Sequence, residues 1–120
     1  MIKVLIADDQ ELIRQSLSII LGLKEEISVV GGVGDGTEVL EFIAKEKPDI
    51  ILMDIGMPVV DGYQATDAIR QLSSDIPIVA VTAFAYDEDR RKVMSRGFNG
   101  YLSKPLNKDE LLKMLHKMGI

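Results

Sequence analysis

Cysteine and tryptophan are absent from this sequence, histidine occurs once, and the aromatic residues are three Tyr and three Phe. Without cysteine there are no disulfides, zinc–thiolate sites or thiol nucleophiles, and the redox compartment stays open. With so few rings, the core has to be built from Ile, Leu, Val, Ala and Met. Basic charge is also short: 14 Lys and Arg stand against 19 Asp and Glu, giving a net charge of −5 and a pI near 4.8. A sequence-independent grip on phosphate backbones needs a basic face, so direct nucleic-acid binding is not expected. No run approaches the roughly 18 apolar residues of a membrane span. Met1 leads straight into strand-like sequence without a leader, so a cytoplasmic protein with no membrane contact is expected.

What remains is a chain of 120 residues, 47% of them apolar, a size and composition that predict one folded domain over 1–120. Its hydrophobic texture alternates. Short, nearly continuous apolar runs at Ile2 to Ala7, Ile27 to Val30, Ile50 to Met53, Ile78 to Val81 and, more weakly, Tyr101 to Leu102 read as strands covered on both faces. Between them lie helical stripes: Leu12, Ile13, Leu17, Ile20 and Leu21; Val39, Leu40, Ile43 and Ala44; Ala65, Ala68, Ile69 and Leu72; Leu111, Leu112 and Leu115. Asp35 with Glu38, Asp61 with Gln64 and Asn107 with Glu110 fit capping boxes. A short charged helix, roughly Asp87 to Arg96 and closed by Gly97, should be the least firmly packed. This βαβαβαβαβα order predicts a doubly wound, flavodoxin-like α/β sandwich with a parallel five-stranded sheet in the order 2-1-3-4-5. Ligands of such sheets bind beyond the carboxyl ends of the strands, at the switch between strands 1 and 3.

The strand tips carry the chemistry. Strand 1 runs into Asp8 and Asp9, strand 3 ends at Asp54, strand 4 at Thr82 and strand 5 at Lys104. Three carboxylates on one edge repel one another unless a cation neutralises them, and oxygen-only donors favour Mg²⁺ or Mn²⁺ over Zn²⁺. Lys104 adds a point charge suited to phosphate and Thr82 a hydroxyl that can donate to a phosphoryl oxygen. Together these groups describe a phosphoryl-transfer site in which one aspartate is the nucleophile, and Asp54, alone on the central strand, is the expected one. Each residue also has an ordinary reading: Asp9 as a helix cap, Asp54 as a turn former, Thr82 as a strand-end hydroxyl, Lys104 as a solvated lysine. His116 is expected on the surface, Asp61 as a cap, and Tyr63 and Tyr86 as packing or surface residues.

VLIADDQ at 4–10, DIILMDIGMPVVDG at 49–62, VAVTAFA at 79–85 and GYLSKP at 100–105 closely resemble the receiver domain of two-component response regulators, over essentially the whole chain. The resemblance implies that Asp54 takes a phosphoryl group from a phosphohistidine on a sensor histidine kinase or a histidine phosphotransfer protein. It further implies that Asp9, Asp54 and the Gly56 backbone carbonyl bind Mg²⁺ directly and Asp8 through water. Thr82 and Tyr101 would be a switch pair, Lys104 would pair with the phosphate ahead of a cis Pro105, and helix 4, strand 5 and helix 5 would form the output face, with a phosphorylation-dependent homodimer as one outcome. Gly56 and Phe84 stand where other members carry side chains that orient an attacking water, so slow self-dephosphorylation is expected. The first 45 residues resemble receivers of LuxR-type regulators, whereas 57–70 and 82–106 are closer to receivers of hybrid sensor kinases; an output domain is not expected within this chain. A haloacid-dehalogenase-like phosphatase is the alternative, but such an enzyme needs a second aspartate two residues past the nucleophile, where Gly56 stands. A flavin carrier of similar fold is disfavoured, because Asp8 and Asp9 would repel a flavin phosphate.

Overall fold

The computed structural model describes residues 1–72, 75–83, 87–104 and 106–118, with the side chains of 87 and 88 left out. The elements are β1 Ile2–Ala7, α1 Glu11–Gly22, β2 Ile27–Val33, α2 Gly36–Lys45, β3 Ile50–Asp54, α3 Gly62–Gln71, β4 Ile78–Thr82, α4 Asp87–Ser95, β5 Gly100–Ser103 and α5 Lys108–Lys117. All strand pairs are parallel and the sheet order is β2-β1-β3-β4-β5, as the alternating pattern predicts. Among the described residues, no helix is long and apolar enough to cross a membrane.

Every residue of β3 and β4 is buried, which explains why their sequences are unbroken apolar runs instead of alternating ones. The pleat divides those residues between two cores. Leu5, Ala7, Ile51, Met53, Ile78, Ala80 and Tyr101 face α2, α3 and α4, where they meet Val39, Ala65, Ile69 and Val93. Val4, Ile6, Ile50, Leu52, Val79, Val81 and Leu102 face α1 and α5 and pack on Leu17, Leu21, Leu111 and Leu115. Strand β2 runs three residues beyond the expected Val30. Its register to β1 shifts between Val4 and Leu5, leaving Val30 as the extra residue of a bulge.

Three helical stripes are narrower than the apolar pattern predicts, since Ala44 on α2 is exposed as well as Leu12 and Leu72. Leu12 is 72% exposed and Leu72 69%; Leu12 lies five residues before Leu17, about 140° around the helix, and Leu72 is the C-cap of α3. Of the capping boxes, Asp61 with Gln64 is complete. Asp35 and Asn107 accept from the Glu38 and Glu110 amides, but the Glu38 carboxylate takes the Gly34 amide instead of closing the box. Helix α4 buries only Val93 among its described side chains, and Gly97 closes it at φ +94. One buried hydroxyl, Thr66 on α3, has no hydrogen-bond partner among the described residues. Thr66→Val, which keeps the shape and removes the unmet polar group, should raise stability by about 1 kcal/mol in denaturant titration.

Candidate functional site

The same pleat sorts the strand-tip residues. Asp54 ends the row that holds Val81 and Leu102, on the α1 and α5 side of the sheet, and Lys104 lies two residues past Leu102. Thr82 follows Ala80 in the other phase and so shares the α3 and α4 side with Tyr101. An acidic and ammonium set and a hydroxyl and phenol set thus flank one edge from opposite faces.

The acidic set is assembled. Asp8, Asp9 and Asp54 each offer a carboxylate oxygen within 4.8 Å of the others. Asp8 is 2% exposed and Asp54 7%, whereas Asp9 is open to solvent. Lys104 Nζ stands 3.0 Å from Asp8 Oδ2 and 3.6 Å from Asp54 Oδ2, so the lysine already serves as the internal counterion of two acids. Asp54 Oδ1 accepts from the Gly56 amide at 3.1 Å, and Asp8 Oδ1 from the Gln10 amide at 2.9 Å. Helix α1 starts from Gln10, with no side-chain cap, so capping does not account for Asp9. Close approach holds the loop after β3 in place: a Cβ on Gly62 would sit 2.7 Å from both the Asp54 carbonyl oxygen and the Ile55 Cα.

Burial, the charge of Asp8 and a hydrogen bond that protonated Asp54 donates to Asp9 raise the pKa of Asp54, and together they outweigh the Gly56 amide and the Lys104 ammonium. Lys104 is raised as well: burial pulls it down, but the hydrogen bond to Asp8 and the charges of Asp54 and Asp8 more than offset this. One ammonium against three carboxylates leaves about two negative charges uncompensated at a largely dry edge. Hard, all-oxygen donors around such an excess fit a Mg²⁺-sized dication.

The electrostatics give a signed prediction. Because folding raises the Asp54 pKa, the protonated form favours the fold. That stabilisation is full below the unfolded value of 3.8 and is lost as pH rises through the folded value. In metal-free buffer near neutrality, Asp54→Asn should therefore raise the melting temperature by roughly 4 °C, about 1 kcal/mol. The gain should vanish in acid. Asp8→Asn should not match it, because Asp8 holds Lys104 at 3.0 Å.

Thr82 is 2% exposed, and its carbonyl accepts from the Lys104 amide at 2.7 Å, which ties the tips of β4 and β5 together. Tyr101 is 9% exposed, with the Arg90 guanidinium 5.6 Å above its ring. Tyr63 is a packing residue, edge-on to Phe98 and covered by Lys92 and Arg96, and His116 is exposed on α5. Phe84, Tyr86 and Pro105 lie outside the described residues. Sequence reasoning overlooked the Gly56 amide as a donor to Asp54, and it overlooked Arg14, whose guanidinium donates to the Asp8 carbonyl at 2.6 Å.

The family model for the response regulator receiver domain matches residues 4–116. The transcriptional regulatory protein LnrK of Bacillus subtilis is 34% identical over 113 residues, covering 94% of this chain and 51% of that protein. Chemotaxis protein CheY of Halobacterium salinarum is 33% identical over 110 residues, with 92% and 90% covered. The NarL signal receiver domain of Mycobacterium tuberculosis has the same fold, with a TM-score of 0.90 at 28% identity over 98% of this chain and 94% of that one. The chain spans about half the length of LnrK and similar curated regulators, and most of CheY. These relatives give the phosphatase alternative no support. A parallel 2-1-3-4-5 sheet, an acidic trio beside a lysine at its carboxyl edge and a family match over nearly the whole length lead to one conclusion: the chain belongs to the response regulator receiver domains of two-component signalling.

Proposed function

We propose that Asp54 is the phosphoacceptor of a Mg²⁺-dependent switch, with residues 1–120 acting as one receiver unit. The observation that carries this reading is the placement of Asp54 at the tip of the central strand, with Lys104 3.6 Å away and two further carboxylates within 4.8 Å. An Asp54 carboxylate oxygen attacks the phosphorus of a phosphohistidine on a histidine kinase or phosphotransfer protein. The P–N bond breaks, and the imidazole leaves with a proton taken from solvent. Lys104 trades its contact with Asp54 for one with the phosphoryl oxygens, and the Thr82 hydroxyl donates to another. Mg²⁺, or Mn²⁺ in its place, held by Asp9, Asp54 and the Gly56 carbonyl and by Asp8 through water, would supply the charge neutralisation that brings two anions together.

Thr82 and Tyr101, on the same face of adjacent strands, carry the signal to α4, β5 and α5. A groove of about 390 Å³ there, lined by Arg90, Tyr101, Lys113 and Met114, is a surface for an output partner or a second copy. With a net charge of −5, the chain is read as not binding nucleic acid itself and as working in the cytoplasm. The test is incubation with a phosphohistidine donor: one phosphoryl group per chain should transfer, labile to hydroxylamine as an acyl phosphate is. Continuous release of phosphate from small phosphoesters would instead mark a turnover phosphatase.

Gly56 makes the switch slow to reset. Among the described residues a Cβ there would meet only Asp54 Oδ1, at 3.7 Å, which leaves room for a side chain beside the acyl phosphate. Gly56→Asn should shorten the phosphoryl lifetime about tenfold by orienting water, less than the roughly 10²–10⁴-fold of a general acid or base because an amide transfers no proton. Decay of phospho-Asp54, followed by intact mass, measures it.

A further inference from the structure

The segment GGVGDG at 31–36 holds four glycines in six residues, and the phosphoacceptor chemistry uses none of them. Close approach accounts for two of them. Gly31 yields to the Phe42 ring, and a Cβ on Gly36 would strike the Val60 carbonyl. Gly32 and Gly34 border Arg14 without being required by it: a Cβ at Gly32 would make ordinary contact with Arg14 Cδ at 3.4 Å, and one at Gly34 with Nη1 at 3.6 Å. The Arg14 side chain thus lies along a trough bare of side chains at the end of β2 and finishes with Nη1 donating to the Asp8 carbonyl at 2.6 Å.

We propose that Arg14 is a positioning residue that fixes the peptide unit joining Asp8 to Asp9 and thereby sets the aim of both carboxylates toward a divalent cation. The proposal rests on the reading of these acids as metal ligands. Three observations support it. Arg14 lies in the first turn of α1, where a cation opposes the helix dipole, so the helix itself gains nothing from it. Its guanidinium reaches a carbonyl and pairs with no carboxylate among the described residues. The same peptide segment is held from the other side by the Asp8 amide, which donates to the Val33 carbonyl at 2.9 Å. With the amide and carbonyl of Asp8 both tied, the direction in which Asp9 leaves the strand is fixed before any cation arrives. That is the pre-organisation a reluctantly dehydrating ion such as Mg²⁺ requires.

The experiment is thermal unfolding of the full chain by far-UV circular dichroism across a Mg²⁺ titration, for the unsubstituted protein, Arg14→Met and Arg14→Lys. The expected result is a Mg²⁺ midpoint displaced about tenfold or more upward in Arg14→Met, the scale of losses seen when groups behind metal ligands are removed, with a smaller displacement in Arg14→Lys. A purely structural arginine would lower the metal-free melting temperature and leave the midpoint where it was, and that result overturns the proposal. Arg14→Lys keeps the charge and most of the stem, so it carries the same comparison if Arg14→Met does not fold. An unsubstituted chain indifferent to Mg²⁺ would overturn the metal-site reading itself, a failure distinct from an unchanged midpoint beside a responsive parent.

Discussion

Lys104→Gln is expected to slow phosphorylation of Asp54 by a small donor about 100-fold or more and, in metal-free buffer, to lower the melting temperature by roughly 8 °C, about 2 kcal/mol. Both effects come from the same geometry. The ammonium stands 3.0 Å from Asp8 Oδ2 and 3.6 Å from Asp54 Oδ2, with the Asp8 side chain only 3% exposed. Removing it leaves Asp8 and Asp54 without their counterion in the ground state, and the site without one of the cations that receives phosphoryl charge in the transition state. Losing one partner of a fully buried pair costs 3–5 kcal/mol, and the smaller figure reflects the 19% exposure of the lysine side chain. Mg²⁺ should restore more stability to Lys104→Gln than to the parent, because it takes over the missing charge. Asp54→Asn moves metal-free stability in the opposite direction, so the two substitutions at one site differ in sign. Stopped-flow phosphorylation and thermal melts with and without Mg²⁺ measure them, and an unchanged rate in Lys104→Gln would remove the lysine from the mechanism.

The second large effect lies far from the acids. Arg70, at the end of α3, donates through Nε and Nη2 to the Gly97 carbonyl at 3.0 and 2.8 Å, through Nη1 to the Ile76 carbonyl at 2.9 Å, and through Nη2 to Asn99 Oδ1 at 2.7 Å. Asn99 Oδ1 in turn accepts from the Ile78 amide at 2.9 Å. One guanidinium therefore joins the entry of β4, the close of α4 and the entry of β5. Hydrogen bonds to charged groups contribute about 1.5–3 kcal/mol when buried, and these are partly solvated. Arg70→Met, which keeps the stem and removes the fork, should cost about 2–3 kcal/mol and some 10 °C in melting temperature. Arg70→Lys should recover little, since an ammonium cannot span three acceptors in a plane. A melt within 2 °C of the parent would show that water replaces the fork without loss.

The strand order and the acidic trio were legible because both are periodic or punctuated features: buried parallel strands read as apolar runs, Asp8 and Asp54 follow such runs directly, and Asp9 and Lys104 come within two residues of one. The two-phase sorting of the tips was also there to be read, since Asp54, Val81 and Leu102 fall in one phase and Thr82 and Tyr101 in the other once the register is known. Register is what one sequence withholds. Leu12 and Leu72 are exposed because one lies about 140° around the helix from Leu17 and the other caps α3, and apolar character alone marks neither. Lys104 was assigned to phosphate alone, although three acids at one edge need a resident cation even before a ligand arrives. Arg14 and Arg70 were missed for a common reason. Each guanidinium is spent on carbonyls in another loop, six residues away for Arg14 and 6 and 27 away for Arg70, a pairing that no residue spacing marks.

The central claim is that Asp54 accepts phosphate with a divalent cation in attendance. Its most direct test is the intact mass of the chain after exposure to acetyl phosphate, with Mg²⁺ and with chelator, beside Asp54→Ala. The account predicts a single phosphoryl adduct on the parent with Mg²⁺, little with chelator, and none on Asp54→Ala. An adduct that persists in Asp54→Ala, or a parent that stays unmodified at saturating donor and Mg²⁺, would contradict it.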